Sequence, residues 1–167
     1  MSVSLASLAL IASGVVRLWT DCPFPCLERI ETPAGWSVTA AAVLWKQEPD
    51  GFEIALAHAL DRQWGAFQPV AGLSLTSGGD VWAGAGLRWR WGSDRLWLEA
   101  SFMPGLYAAG DHDLGHPVEF RSALALVWGL DDGATLALTV DHRSNGNLGR
   151  ENPGMETVGL RWSWPLD

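Results

Sequence analysis

Lysine and arginine are scarce in this chain. Eleven of them in 167 residues face nineteen aspartates and glutamates, leaving a formal charge of -8. That balance excludes an electrostatic case for nucleic acid, because phosphate binding wants clustered cations and none are clustered here. An anionic lipid surface has to be met locally, through residues such as Arg143 and Arg150. Long apolar runs are also missing: no stretch is long enough for a spanning helix, so any insertion into a membrane must be by strands. Cysteine is limited to Cys22 and Cys26, which enclose Pro23-Phe24-Pro25 and match neither a paired zinc-site spacing nor a redox CxxC. In an oxidising compartment they either form a small local disulfide or stay as two free thiols. The loop between them is short, so a bond there adds modest stability.

What the chain does have is tryptophan and glycine, eleven and nineteen residues respectively. Residues 1–14 are apolar and small and read as part of a secretory h-region ending near Ala12-Ser13-Gly14, with an n-region that lacks any Lys or Arg. Residues 15–34 form an N-terminal segment carrying both cysteines. The remainder, 35–167, reads as one folded domain.

From residue 35 onward the pattern has period two, the signature of strands with unlike faces. Strands are expected at 35–45, 51–61, 67–76, 81–91, 95–104, 118–130, 134–142 and 155–164. In the seventh, Leu136, Leu138 and Val140 oppose Thr135, Ala137 and Thr139. In the eighth, Val158, Leu160, Trp162 and Trp164 oppose Thr157, Gly159, Arg161 and Ser163. The second face of each strand holds Gly, Ala, Ser, Thr and Arg, which fit a narrow bore where a few charges pair with Glu53 or Glu99. Large residues then face lipid. The expected fold is all-β, an eight-stranded antiparallel transmembrane β-barrel. Trp45, Trp64, Trp82, Trp91, Trp97, Trp128, Trp162, Trp164 and Tyr107 include residues near strand ends, where an interfacial aromatic girdle belongs.

The connections agree with this. Short turns are expected around Asp61-Arg62-Gln63-Trp64-Gly65, Gly92-Ser93-Asp94 and Asp131-Asp132-Gly133, and longer loops from Pro104 to Pro117 and from Arg143 to Gly154. Outer-membrane barrels have short periplasmic turns and longer external loops, so the second set is external. That places Asp141-His142-Arg143-Ser144-Asn145-Gly146 on the external rim, at the level of the outer leaflet.

Parity directs the side chains there. His142 and Ser144 share the outward parity of Leu136, Leu138 and Val140, and Glu156 shares that of Val158 and Leu160. All three are therefore expected on the lipid-facing surface, as neighbours across the last two strands. A His two residues from a hydroxyl on one face suits proton abstraction from Ser144 Oγ, and a carboxylate across the hairpin suits the other ring nitrogen. The chemistry so assembled is acyl transfer to water, with the negative oxygen held by backbone donors at Asn145 and Gly146. Taken singly, these residues have plainer readings: an interfacial His near a strand end, and Ser-Asn-Gly as ordinary turn composition. Taken together, three polar groups entering the membrane boundary call for a purpose. Asn152-Pro153-Gly154 is a turn signal, with Asn152 placed to order the loop or steady Glu156. His112 and His116, with Asp111 and Asp113, offer donors for a divalent ion, but without fixed geometry they read as loop polarity. His58 has the outward parity of the second strand.

The stretch His142-Arg143-Ser144-Asn145-Gly146, followed by Asn152-Pro153-Gly154 and Glu156, resembles the C-terminal signature of the PagL-type lipid A 3-O-deacylases. The resemblance extends to strand number, length and the Phe102-Met103-Pro104-Gly105-Leu106-Tyr107 stretch. It implies an eight-stranded barrel in the cell outer membrane that removes the ester-linked acyl chain at position 3 of lipid A, without a metal or other cofactor. It implies His142 as base, Ser144 as nucleophile, Glu156 as the orienting acid, Asn145 as an oxyanion donor through its N–H, and Asn152 as a supporting residue. Lipopolysaccharide and outer-membrane lipid are then the partners. Arg143 stands where the family has an aromatic residue, and its charge suggests contact with a lipid phosphate or a loop carboxylate. The C-terminal Trp164-Pro165-Leu166-Asp167 lacks the terminal aromatic common in such barrels. Two other functions fit the strand pattern: a non-enzymatic small barrel acting through its external loops, and a soluble lipocalin-like binding barrel.

Overall fold

The computed structural model describes residues 28–29 and 35–165. The segment 1–14, Cys22 and Cys26 lie outside the described residues. Eight antiparallel strands close into a barrel: β1 (Gly35–Trp45), β2 (Glu48–Ala59), β3 (Gln68–Thr76), β4 (Val81–Gly92), β5 (Leu96–Ala108), β6 (Val118–Gly129), β7 (Thr135–Ser144) and β8 (Met155–Pro165). Successive strands pair, and β8 pairs with β1 to complete the ring. A closed ladder has no open edge, the condition for a sheet in hydrocarbon. The strands run from 9 to 13 residues, enough to cross a bilayer when tilted.

Two boundaries depart from the sequence expectation by several residues. β2 starts at Glu48, because β1 and β2 are joined by the two-residue turn Lys46-Gln47, whose φ values of 51° and 69° suit a type I′ hairpin. β5 continues through Pro104 to Ala108. Pro104 is tolerated because it falls where the β4–β5 pairing is interrupted, opposite Ala85, so no ladder bond is asked of its nitrogen. The connection after β2 is also longer than a simple turn. Its Arg62–Gln63 pairs with Glu28–Arg29, and Trp64 bridges to Phe67.

Size segregation around the wall is complete enough to decide orientation. Ile54, Leu73, Leu98, Leu124, Leu138 and Leu160 all stand exposed on the outside, while alternate positions turn inward and are buried. Burying such a side chain in a soluble core is worth about 1.5–3 kcal/mol, which a water-soluble barrel forgoes at every one of these sites and a lipid-embedded one does not. This inverted arrangement removes the lipocalin-like alternative.

The bore is filled instead by charges. Glu53 accepts from Arg121 Nη2 at 2.9 Å, from Arg143 Nη2 at 2.7 Å and from Ser74 Oγ at 2.8 Å. Arg121 also pairs with Asp141, which accepts from Thr157 Oγ1 at 2.7 Å. Both guanidinium groups lie 5.5 Å from the ring centre of Trp82. Trp82 therefore points into the lumen, fully buried, and does not belong to an interfacial girdle. Gly84 and Gly105 make room for it: a Cβ on either would come within 2.8 Å of the indole. Trp97 and Tyr107 are likewise inward and buried, whereas Trp91, Trp128, Trp162 and Trp164 are exposed toward the short-turn end and form the aromatic belt there. A second charge layer lies nearer that end, where Arg161 Nη1 is 2.6 Å and Arg88 Nη1 3.6 Å from the Glu99 carboxylate. Beyond it the lumen opens as a cavity of about 310 Å³.

Candidate active site on the outer wall

The register of β7 against β8 pairs His142 with Glu156. Both side chains face outward, half exposed, and His142 Nδ1 lies 2.9 Å from Glu156 Oε1. The strand alternation that sends Val140 into lipid thus persists to the last turn of the wall, and it puts Ser144 on the same face as His142. Ser144 is the cross-strand partner of Phe120. Its hydroxyl makes no hydrogen bond among the described residues, so the structure joins His142 to Glu156 and leaves Ser144 adjacent but unbonded.

Arg143, between them in sequence, has the opposite parity and points into the lumen, 1 % exposed, where it is held by Glu53. Contact with a lipid phosphate is ruled out by that burial. The carboxylate it meets belongs to β2 and not to a loop.

The chain then turns sharply. Leu148 N–H donates to Asn145 O at 3.1 Å, and Gly146 and Asn147 both have positive φ, 61° and 67°, as a type I′ turn requires. Asn145 is fully buried and its Nδ2 donates to Leu114 O and Glu151 O, each at 2.7 Å, tying this loop to the loop after β5. Its backbone N–H donates to Asn152 Oδ1 at 2.9 Å. Of the two amides expected to receive a negative oxygen, that of Asn145 is therefore engaged, while that of Gly146 has no acceptor among the described residues. Asn152 orders the loop by capping Asn145 and by donating to Asn147 Oδ1 at 3.3 Å. Gly154 closes the loop over the imidazole at φ 72°. A Cβ there would sit 2.9 Å from His142 Cε1, so only glycine leaves the ring in place.

A sequence model of the lipid A 3-O-deacylase (PagL) family matches residues 34–165, the whole barrel. The chain belongs to the PagL family of lipid A 3-O-deacylases. As in that family, it is an outer-membrane β-barrel of a hydrolase class that modifies lipid A. Among solved structures it is similar to the outer-membrane enzyme PagL, with 19% identity and a TM-score of 0.64 over 80% of this chain and 100% of that one. The barrel also resembles Neisserial surface protein A (7% identity, TM-score 0.54, 80% of this chain and 96% of that one) and a de novo designed transmembrane β-barrel. The designed barrel is 10% identical, with a TM-score of 0.52 over 80% of this chain and 98% of its own. No curated protein matches the sequence.

This PagL-family barrel carries one external feature that local sequence spacing does not reveal. His112 is not solvated loop polarity. It is buried, with Nδ1 2.5 Å from Asp80 Oδ2 and Nε2 3.2 Å from Asp50 Oδ2. Asp80 also accepts from the amides of Gly110 (2.7 Å) and His112 (3.1 Å) and from Thr76 Oγ1 (2.5 Å), so it latches the loop after β5 onto the turn after β3. His116 only accepts the Val118 N–H, at 3.0 Å. Among the described residues no group of three or more His, Cys, Asp or Glu side chains is arranged to hold a metal ion.

The latch is pH-sensitive. Burial disfavours charge on both partners, but their mutual hydrogen bonds prevail: Asp80 is pulled down to about 2 and His112 is raised above its ordinary 6.5. The Asp80 contribution is present above 3.8 and fades as pH falls toward about 2; the His112 contribution is full below 6.5 and is lost as pH rises through its elevated value. Amide exchange at Gly110 and His112, corrected for intrinsic rate, is expected to be slowest between these limits and to accelerate in alkali. His112→Gln should remove that alkaline acceleration.

Proposed function

We propose that this protein hydrolyses the ester-linked acyl chain at position 3 of lipid A, with Ser144, His142 and Glu156 as its triad. The observation that carries the reading is the His142–Glu156 hydrogen bond of 2.9 Å on the lipid-facing wall, beside Ser144 of the same parity, in a chain of this family. Lipid A anchored in the outer leaflet lies against that wall, so its ester reaches Ser144 without entering the barrel.

In the first half-reaction Ser144 rotates toward His142, which takes its proton as Oγ bonds to the ester carbonyl carbon. Glu156 accepts the Nδ1–H, fixing the tautomer and offsetting the charge the ring gains. The Gly146 amide is the free donor for the carbonyl oxygen as it becomes negative; the Asn145 amide joins only if Asn152 Oδ1 swings away. The imidazolium returns its proton to the departing sugar oxygen as the C–O bond breaks. In the second half-reaction His142 deprotonates water, which attacks the carbonyl carbon of the acyl-Ser144 ester, and the imidazolium returns that proton to Ser144 Oγ as the C–Oγ bond breaks and the acid leaves. Each proton transfer uses a group of this chain. Incubation of the detergent-folded protein with lipopolysaccharide tests the reading: lipid A should lose the mass of one acyl chain, and unchanged mass with a folded barrel contradicts it.

A further inference from the structure

Glu119 takes no part in the steps above. It is the second residue of β6, fully buried in the lumen, and neither of its carboxylate oxygens has a hydrogen-bond partner among the described residues. Burying a carboxylate without partners is costly, so the groups around it decide what it does. Those groups are also incompletely bonded. Arg143 uses Nη2 toward Glu53 and Ser74, while its Nε and Nη1 are buried and have no acceptor among the described residues. Asn145 donates twice through Nδ2, and its buried Oδ1 receives no donor among them.

The register puts these groups side by side. Arg121 pairs with Arg143 and Phe120 with Ser144, so Glu119 lies one step beyond that last pair, next to Asn145 and on the diagonal from Arg143. Direct neighbours across a sheet stand about 5 Å apart and diagonal ones about 7–8 Å, within reach of a glutamate and an arginine. Arg143 is the cation whose field reaches Glu119, and Asp113 of the loop after β5 is the anion. The other titratable groups around it already have partners: Glu53 on β2, Arg121 on β6 and Asp141 on β7 are tied to one another, and Tyr107 on β5 donates to His112 O beside the Asp80 latch. Two partners therefore remain for Glu119. As an anion it accepts from Arg143 Nε and Nη1, a two-pronged, charge-assisted contact; as an acid it donates to Asn145 Oδ1. In the first arrangement Arg143 is held by Glu53 across the lumen and by Glu119 on the next strand, and the backbone between His142 and Ser144 is pinned from inside.

We infer that Glu119 is a positioning residue for the active site: ionised, it closes on Arg143 Nε and Nη1 and fixes the strand end that carries His142 and Ser144. This rests on the esterase reading above. Glu119 lies inside the barrel and touches no substrate, so its effect falls on turnover and not on binding.

The test compares wild type with E119Q, whose amide matches glutamate in size and, like the acid form, offers Asn145 a donor but Arg143 no charge. Initial rates of acid release from lipopolysaccharide in micelles are taken from acid to mildly alkaline pH, on protein whose heat-dependent gel migration is unchanged. Dividing kcat of wild type by kcat of E119Q removes the titrations of His142 and His112, which both proteins share. The ratio should be about one in acid and rise with pH to roughly tenfold, the worth of one charge-assisted hydrogen bond, with KM equal throughout. A ratio that does not change with pH overturns the assignment of Glu119 while leaving hydrolysis at Ser144 standing. No acid release by the folded wild type overturns both. Where E119Q does not fold, wild type alone decides: the Arg143 Nε–H resonance, identified by its absence from R143K, should move downfield as Glu119 ionises, and a resonance unmoved across the range overturns the contact.

Discussion

Ser144→Ala is expected to lower lipid A deacylation by about 10⁴–10⁶-fold, and His142→Ala by a similar factor, because in a triad the nucleophile is inert without its base. The double variant S144A/H142A should be no worse than either single one. That non-additivity is the sign of two groups acting as a unit, and it separates catalysis from a loss of folding, in which the effects accumulate. Glu156→Gln should cost less than either. Its carboxylate is about half exposed, so water can take over part of the Nδ1–H bond. Initial rates of acid release by mass spectrometry, on protein whose heat-dependent gel migration is unchanged, check all four variants. Full activity in S144A would remove Ser144 from the chemistry.

The second large effect concerns the lumen. Glu53→Ala takes from Arg121 and Arg143 the carboxylate they share beside Trp82, and leaves Asp141 paired with Arg121 only. Stripping one partner from a buried charge cluster typically costs about 3–5 kcal/mol. Urea unfolding in lipid vesicles should show a loss of that order. Arg143→Ala should cost less, since Glu53 keeps Arg121 and Ser74. Were Arg143 a substrate contact, R143A would instead raise KM with little change in stability. Its burial predicts the reverse, any loss of activity following from a slackened β7.

Much of this architecture was legible because a two-residue period is hard to disguise. The alternation of Leu136, Leu138 and Val140 with Thr135, Ala137 and Thr139 marked β7, and carrying the same parity two steps further put His142 and Ser144 on its outer face. Applied to Arg143, the same rule points inward; the lipid-phosphate expectation arose from its charge, and the alternation governed instead. The tryptophans were harder to place. Trp82 is as large as the girdle residues, and only the glycines at 84 and 105, distant in sequence from each other, reveal that the lumen was widened to admit it. The His112–Asp80 latch was out of reach for a related reason. Its partners stand 32 residues apart on different loops, and no local spacing records a contact made by closing a barrel. The engagement of the Asn145 amide by Asn152 had a partial signal, since Asn-Pro-Gly marked a turn near the site, but which group it would cap depends on the fold of both loops.

The activity proposed for this barrel is cleavage of one particular ester of lipid A by a lipid-facing wall at the external rim. Tandem mass spectrometry of lipid A recovered after incubation with wild-type protein tests it most directly, because the fragments report which sugar position has been vacated. Loss of a single acyl chain from position 3, absent with S144A, is the predicted result. Loss from any other position, or the same loss with S144A, would contradict it.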